Sequence, residues 1–516
     1  MSDAKALIVE GLRRRQEDGV AAALDCFTRA AQLEPKSYLP LLMLGNAASE
    51  LGEWDAAVGH LERARSLAPY NHVVRFNLGL NQLLRGYADP AIAELQAACD
   101  LHPVDLAARS CYFLGLHHSD GFGPEEIAAK IREWGAWFAE RHAPKLRWVP
   151  REDANPRDTL RVGFVSGDFR EHSVAHFFEP IGAERDPQAY WYVFYNTSPE
   201  RDLVTERMRG YADEWRDVAQ LTDPALMELI ARDRIDILVD LSGHTHGGRL
   251  AVFAGRAAPV QVTYLGFPNG TGLPAMDYRI TDAITDPPSA DEWHVERLLR
   301  LPDSQWCYRS FSPPMAPGPL PALAAGFVTF GSFNSLTKAS DGLLRCWGDL
   351  LMQLPTSRLR LTRVRSSRRA ADIVAALGQL GVAAGRIDCV PHRSDVPQGT
   401  QFAGVDIALD HYPYNGVTTT CESLYNGLPV VSLYGRHSAS RSGLGILSSL
   451  GLGELAASSP QDYVRIAVAL ARDLPRLEQL RGSLRTRFDQ SPLRDEKRFA
   501  ANFEQALRTA WQGRTT

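Results

Sequence analysis

Residues 410–432 read DHYPYNGVTTTCESLYNGLPVVS, and this stretch joins an apolar strand, a tight turn and the first turn of a helix. Val405 to Leu409 reads as the buried strand, Asn415-Gly416 as the turn and Thr418 to Gly427 as the helix. The first-turn amides of such a helix have no partner inside it and carry the positive end of the macrodipole. An anion can therefore dock there without a dedicated lysine. Thr418, Thr419 and Thr420 add hydroxyl donors at the same end, and Glu422, one turn in, is placed to accept from a sugar or ribose hydroxyl. An NG turn followed by threonines is also what an ordinary capped helix looks like. Alone, the segment predicts a strand-turn-helix unit and a candidate phosphate site that includes Asn415 and Gly416.

Around this unit, short apolar strands alternate with helical segments. Phe327–Phe330, Arg358–Thr362, Ile387–Val390, Val405–Leu409 and Val430–Leu433 form one set, and Leu160–Val165, Tyr190–Tyr195, Ile235–Val239 and Val260–Tyr264 an earlier one. That alternation predicts two doubly wound parallel-sheet lobes facing a cleft. The proline-rich stretch Leu301–Pro321 reads as their connector, and Pro150–Pro156 as the loop before the first lobe. Ligands in such sheets sit beyond the carboxyl ends of the strands, which is where the polar clusters fall.

The first hundred residues follow a different rule. Gly11, Gly45 and Gly79 are spaced by 34, as are Ala23, Ala57 and Ala91, then Ala30, Ala64 and Ala98, then Pro35, Pro69 and Pro103. Small residues let the two helices of a hairpin approach closely, and the proline ends each second helix. The pattern resembles the tetratricopeptide repeat, with Phe27, Leu61 and Leu95 at the large apolar position. One hairpin cannot bury its own face, so the repeats are expected to stack. A degenerate fourth unit around Leu114 to Phe138 is expected to dock the array onto the rest of the chain.

At 516 residues the chain is too long for one ordinary core, and domains of roughly 100 to 200 residues suggest about three units. Net charge is −5 with no long single-sign block, which argues against a nucleic-acid surface; the basic cluster Arg358 to Arg369 reads as a solvated connection. The seven cysteines are scattered and never in a CxxC pair, so neither a disulfide framework nor a zinc site is expected. The amino terminus lacks the apolar core of a signal peptide, and no run approaches the ~18 apolar residues of a membrane span. A cytoplasmic location is expected.

Four longer segments carry a resemblance: DFREHSVAHFFEP (Asp168 to Pro180), IDILVDLSGHTHGGRLAVFAGRAAPVQVTYLGFPNGTGLPAMDYRITD (Ile235 to Asp282), GFVTFGSFNSLTK (Gly326 to Lys338) and YPYNGVTTTCESLYNGLPVV (Tyr412 to Val431). Together and in this order they resemble the protein O-GlcNAc transferase and SPINDLY family, glycosyltransferase family 41. The resemblance covers nearly the whole chain. It implies a tetratricopeptide superhelix (1–142, with docking helices) followed by an α/β GT-B fold of two Rossmann-like lobes, 157–305 and 326–516, joined by a linker at 306–325. The family transfers a sugar from a nucleotide donor to Ser or Thr hydroxyls of proteins, inverting the anomeric centre without a metal.

Such chemistry requires a neutralised leaving diphosphate, a route for the acceptor proton and a site that excludes water. There is no DxD-like metal-ligand pair near the helix-terminus site, so cations and amides must meet the leaving charge. By the resemblance, Lys338 matches the essential lysine and is assigned to the diphosphate, and His172 matches the active-site histidine. A histidine titrates near neutrality and can shuttle a proton or hold the acceptor hydroxyl; which of these His172 does stays open. Thr418 and Thr419 are assigned to the phosphates and Glu422 to the ribose; Arg441, after the strand Val430 to Leu433, is a candidate to reinforce the phosphate site. His176 reads as packing or capping. His244, in the glycine-rich GHTHGG, and the loop Gly266 to Pro274, with Gly266 and Pro268, are candidates to line the donor sugar or acceptor cleft.

Departures from the O-GlcNAc branch leave the donor open. Val417 stands where that branch has a histidine after NG, Asp236 replaces a histidine in the first lobe, and His392 is a poor substitute for a further one. MDYRITD and TTTCESLYNG look closer to SPINDLY, whose plant representatives use GDP-fucose, whereas Ala439 to Arg441 leans toward the O-GlcNAc branch. UDP-GlcNAc is the leading donor and GDP-fucose its rival. A tetratricopeptide scaffold with inactive lobes is the reading from another class. Polypeptide acceptors are expected as partners through the array, with no metal and no cofactor beyond the donor; the sequence does not name the acceptors or the oligomeric state.

Overall fold

A computed structural model describes residues 3–142, 159–312, 318–391 and 398–513. The loop Pro150–Pro156, part of the proline-rich stretch (313–317) and His392 lie outside the described residues. The chain divides into two compact units, one of residues 1–121, 334–352 and 358–395, the other of 122–333, 353–357 and 396–516.

The first unit opens with seven helices, α1 (Asp3–Asp18), α2 (Val20–Leu33), α3 (Tyr38–Glu50), α4 (Trp54–Leu67), α5 (His72–Arg85), α6 (Ala88–Leu101) and α7 (Leu106–Leu116). The 34-residue register has a direct steric meaning. A methyl group on Gly11 would lie 2.5 Å from the Phe27 ring, on Gly45 2.6 Å from Leu61, and on Gly79 2.7 Å from Leu95. In each hairpin the glycine of the first helix thus receives the large side chain of the second, and Ala23, Ala57 and Ala91 are fully buried beside it. Replacing Leu61 by alanine would leave a cavity worth about 2–5 kcal/mol. The same unit holds β9 (Arg358–Val364) and β10 (Ile387–Pro391), ninth and tenth strands in chain order, paired in parallel.

The second unit begins with α8 (Pro124–His142). Its larger sheet contains β1 (Leu160–Ser166), β2 (Tyr190–Asn196), β3 (Glu214–Asp217), β4 (Ile237–Asp240), β5 (Val260–Thr263), β6 (Tyr278–Asp282) and β7 (Arg297–Leu301), in the order β3-β2-β1-β4-β5-β6-β7. Every neighbouring pair is parallel. The apolar runs β1, β2, β4 and β5 are those read from sequence. β3 (EWRD), β6 (YRITD) and β7 (RLLRL) escaped that reading because their charges break the apolar run. Those charges are accommodated by partners: buried Arg279 of β6 donates to the carbonyls of Phe267 and Asn269.

Aromatic packing fills one face of this sheet. The Phe164 ring lies 4.9 Å from both Phe178, on α9 (Ala175–Ala183), and Tyr192. The last helix, Glu496–Gln512, completes the same core with Phe499, Phe503 and Trp511, and the Tyr190 hydroxyl donates to Glu504 O at 2.7 Å. The proline-rich stretch is more than a connector, since Trp306, Cys307 and Tyr308 are buried and the Tyr308 amide donates to Leu493 O.

The unit's other parallel strands are β8 (Thr329–Ser332), β11 (Ile407–Leu409), β12 (Val430–Leu433) and β13 (Ala456–Ala457), paired in that order. In the larger sheet the strand order reverses between β1 and β4, so the loops leaving their carboxyl ends border the crevice where such folds place ligands. The loop leaving β11 ends at the helix Thr418–Tyr425.

Candidate active site

β1 delivers the chain into a loop carrying Asp168, Arg170 and His172. Asp168 is buried, and His172 Nδ1 lies 3.4 Å from its Oδ1. The Val174 amide also points at Nδ1, at 3.3 Å. Burial, with the Arg170 guanidinium nearby, holds His172 down to about 4, while burial pushes Asp168 up to about 6. At neutral pH the imidazole is uncharged beside a largely ionised carboxylate. Nδ1 thus faces one donor and one acceptor, and its proton follows the charge on Asp168. An ionised Asp168 favours Nδ1–H and leaves Nε2 as the proton acceptor. His176, one turn on, is packing: its Nδ1 is 2.7 Å from Arg309 O, and its ring stacks on Phe311 at 3.9 Å.

β4 ends in Asp240, whose buried carboxylate accepts from the amides of Ser242 and Gly243 and from the Thr263 hydroxyl on β5. His244 follows in that folded loop. It is 1% exposed, its Nε2 lies 2.9 Å from Thr271 O, and its ring packs edge-on against Trp134 and Phe267. The geometry thus gives His244 the task of holding the 266–274 loop. Gly266 lies so close to the backbone of Leu241 and Ser242 that a methyl group would come within 2.2 Å of Leu241 O. Glu296 accepts from both the amide and the hydroxyl of Thr271 at 2.6 Å, and Pro268 O accepts from the Ser438 hydroxyl. From outside, α8 rests on the same loop: a methyl group on Gly135 would lie 2.0 Å from Gly272 O.

After β11 the arrangement of Asp240 recurs. Asp410 accepts from the amides of His411 and Gly416 at 2.8 Å and from the Ser432 hydroxyl on β12 at 2.8 Å. Asn415 is fully buried, donates to His411 O and Leu433 O, and accepts from the Gly443 amide. Asp410 and Asn415 together set the turn that aims the helix Thr418–Tyr425. That helix starts at Val417 with no side-chain cap, the arrangement in which its first-turn amides suit an anion. Thr418 and Thr419 are half-buried at that end, whereas the buried Thr420 hydroxyl donates to Gly416 O at 3.0 Å. The three threonines therefore do not share one task.

Glu422 is 5% exposed, and its carboxylate adds to burial in raising the Tyr308 phenol. Tyr308 in turn packs on His176 and Phe177 of α9. The Tyr308 ring also lies 6.1 Å from that of Tyr425, on the helix that carries Glu422, so ring contacts link that helix to the one that follows His172. Arg441 is tied down by carbonyls, donating through Nε to Ile284 O and through Nη1 to Gly435 O. Lys338 belongs to the other unit, where it ends the short 3-10 turn Leu336–Lys338, its amide donating to Ser335 O.

Among the described residues, one group offers metal-ligand atoms at close range: His72, His102 and Asp105, within 4.8 Å of one another. It lies in the helical array, and its imidazoles stack face to face at 4.5 Å and 14° instead of converging on a point. No helix among the described residues is long and apolar enough to cross a membrane.

Sequence reasoning missed the residues that hold the loops: Asp168, Asp240, Asp410, Glu296 and Arg279. A signal for two of them is present. DILVD (236–240) and DIALD (406–410) are the same pattern. In each, the first aspartate accepts from the amide of a residue in the neighbouring strand, Arg161 or Thr329, and the second folds the loop beyond.

The family model for glycosyl transferase family 41 matches residues 141–308 and 320–503. Over 412 residues the chain is 39% identical to the Petunia hybrida protein named probable UDP-N-acetylglucosamine–peptide N-acetylglucosaminyltransferase SPINDLY, covering 77% of this chain and 43% of that one. The Arabidopsis thaliana SPINDLY protein is 39% identical over 394 residues, 74% of this chain and 42% of its own. The Arabidopsis protein of the same activity name called SEC is 29% identical over 378 residues, 70% and 38% of the two chains. The chain thus spans less than half the length of the curated relatives it matches. Among solved structures, a mutant of the Thermobaculum terrenum O-GlcNAc transferase superimposes with a TM-score of 0.89 at 36% identity, covering 99% of this chain and 97% of that one. Helical hairpins at a 34-residue period, two parallel sheets with their loops held by paired aspartates, and a match to the family model over most of its length make this chain a member of glycosyl transferase family 41.

Proposed function

We propose that the chain is a protein O-glycosyltransferase that moves a sugar, with GlcNAc from UDP-GlcNAc as the leading donor, onto Ser or Thr hydroxyls of polypeptides. The observation that carries this reading is the uncapped helix start at Thr418, set by Asp410 and Asn415 beyond the carboxyl end of β11. The names of the relatives and the full-length likeness to a bacterial O-GlcNAc transferase support it. In this reading the helix amides and the hydroxyls of Thr418 and Thr419 hold the diphosphate, Glu422 accepts from the ribose, and Lys338 offsets the charge of the departing nucleotide. The acceptor oxygen bonds to the anomeric carbon as the carbon–phosphate-oxygen bond breaks on the opposite face, which inverts the centre. Its proton passes to Nε2 of the neutral His172, positioned by Asp168. No step requires a metal. The helical array would present the polypeptide.

GDP-fucose is the second donor reading, favoured by Val417 at the helix start in place of a histidine. Thermal-shift and calorimetric titration with UDP, UDP-GlcNAc, GDP and GDP-fucose separates the two, because a ligand of the native state raises the melting temperature with the logarithm of its concentration over its affinity. Stabilisation by the uridine compounds is expected. Stabilisation by the guanosine compounds alone makes the enzyme an O-fucosyltransferase, and no response to any of them returns the chain to a scaffold.

A further inference from the structure

The short turn that carries Lys338 is braced by the helical array of its own unit. Gly86 ends α5 in the left-handed conformation, φ +91°, and a methyl group there would lie 2.6 Å from Leu336 O and 3.1 Å from the Thr337 Cα. The next residue, Tyr87, donates its hydroxyl to the Asp372 carboxylate, and its ring faces the guanidinium of buried Arg369 at 5.0 Å. Arg369 donates through Nη2 to Ala339 O, the carbonyl immediately after Lys338, at 2.6 Å. Beyond the turn, the Gly342 amide donates to Asp120 at 2.9 Å. From the preceding hairpin, Asp55 bonds both Arg85 and the Ser366 hydroxyl. The backbone on both sides of Lys338 therefore rests on groups that the array supplies or steadies.

We propose that the Arg85-Gly86-Tyr87 turn of the third hairpin is a positioning element for Lys338, so that the array sets the reach of this lysine as well as presenting a peptide surface. The proposal rests on the reading of Lys338 as the group that meets the leaving diphosphate. A misplacement of about 1 Å of such a group can cost on the order of a hundredfold in rate.

The repeat supplies its own control. Gly52 stands 34 residues before Gly86, also at positive φ (+75°), yet a methyl group there meets nothing within 4 Å. Asparagine tolerates the left-handed conformation while adding the Cβ, so Gly86→Asn and Gly52→Asn separate contact from backbone strain; Gly86→Ala and Gly52→Ala form a second pair. Two readouts apply, steady-state transfer and hydrogen–deuterium exchange of residues 335–342. Both Gly86 variants are expected to lose roughly 10- to 100-fold in kcat with a smaller change in donor KM, and to exchange faster in 335–342. The Gly52 variants should keep kcat within about twofold and leave that exchange unchanged. Equal losses at the two glycines, or unaltered exchange in Gly86→Asn, overturn the proposal. Lys338→Ala tests the underlying reading separately: if it keeps full turnover, the lysine assignment falls, while the exchange contrast still decides whether the turn holds the loop.

Discussion

Asp240 and Asp410 occupy the same place in the two sheets of their unit: each ends a DIxxD strand, folds the loop beyond it through backbone amides, and accepts a hydroxyl from the next strand over, Thr263 in one case and Ser432 in the other. An asparagine keeps the volume but turns one acceptor into a donor that faces donors. Asp410→Asn is expected to lower stability by about 3 kcal/mol and to abolish nucleotide-induced stabilisation, whereas Asp240→Asn should lower stability and leave nucleotide binding measurable. Calorimetric melting with and without UDP checks both.

Asp168 and His172 respond to pH with opposite sign. Asp168 is raised to about 6, so the native state holds its proton more tightly than the unfolded chain. Its contribution favours the fold at low pH and is lost as pH rises from about 4 to about 6. His172 is lowered to about 4; its contribution runs the other way, growing as pH rises from about 4 toward 6.5, and is diminished by its partial exposure. In Asp168→Asn the falling branch disappears. The variant should gain stability over the parent as pH rises from 4.5 to 7.5, by at most about 3 kcal/mol, while losing turnover because the Nδ1 proton is no longer held. A pH-independent difference in melting temperature would refute the Asp168 shift.

The threonines at the helix start should separate. Thr420→Val removes the bond to Gly416 O and is expected to cost about 1 kcal/mol of stability with little effect on donor affinity. Thr418→Val should weaken the nucleotide about tenfold or more with unchanged melting of the free protein, the signature of a hydroxyl that serves an anion, and Thr419→Val should weaken it likewise. Titration calorimetry on the three variants decides this.

Gly135→Ala drives a methyl group into Gly272 O, so α8 must back away from the 266–274 loop. A loss of about 1–3 kcal/mol is expected, together with a raised KM for donor or acceptor. Gly59→Ala is the contrast: it lies exposed within α4, meets nothing within 4 Å, and should gain up to about 1 kcal/mol from helix propensity. Parallel melting curves test the pair.

Much of this protein was legible in its residues. The 34-residue register of glycine, alanine and proline announced hairpins, since only small residues let Phe27, Leu61 and Leu95 enter the facing helix. The apolar strands β1, β2, β4 and β5 announced a parallel sheet, and the TTT stretch announced a helix start. β3, β6 and β7 were not legible, because their charges look like loop until one sees Arg279 satisfied by two carbonyls.

The order of parts, the family and the candidate residues are legible along the chain, because these follow from local periodicity and from motifs. The tertiary structure alone set where those residues sit and what they touch. It turned His244, Asn415 and Thr420 inward to hold loops, set Asp168 against His172, seated Gly86 against the turn of Lys338, and returned the last helix to the core of the first sheet. Each of these depends on which distant backbone groups come within hydrogen-bond or van der Waals reach, and no local pattern along the chain encodes that distance.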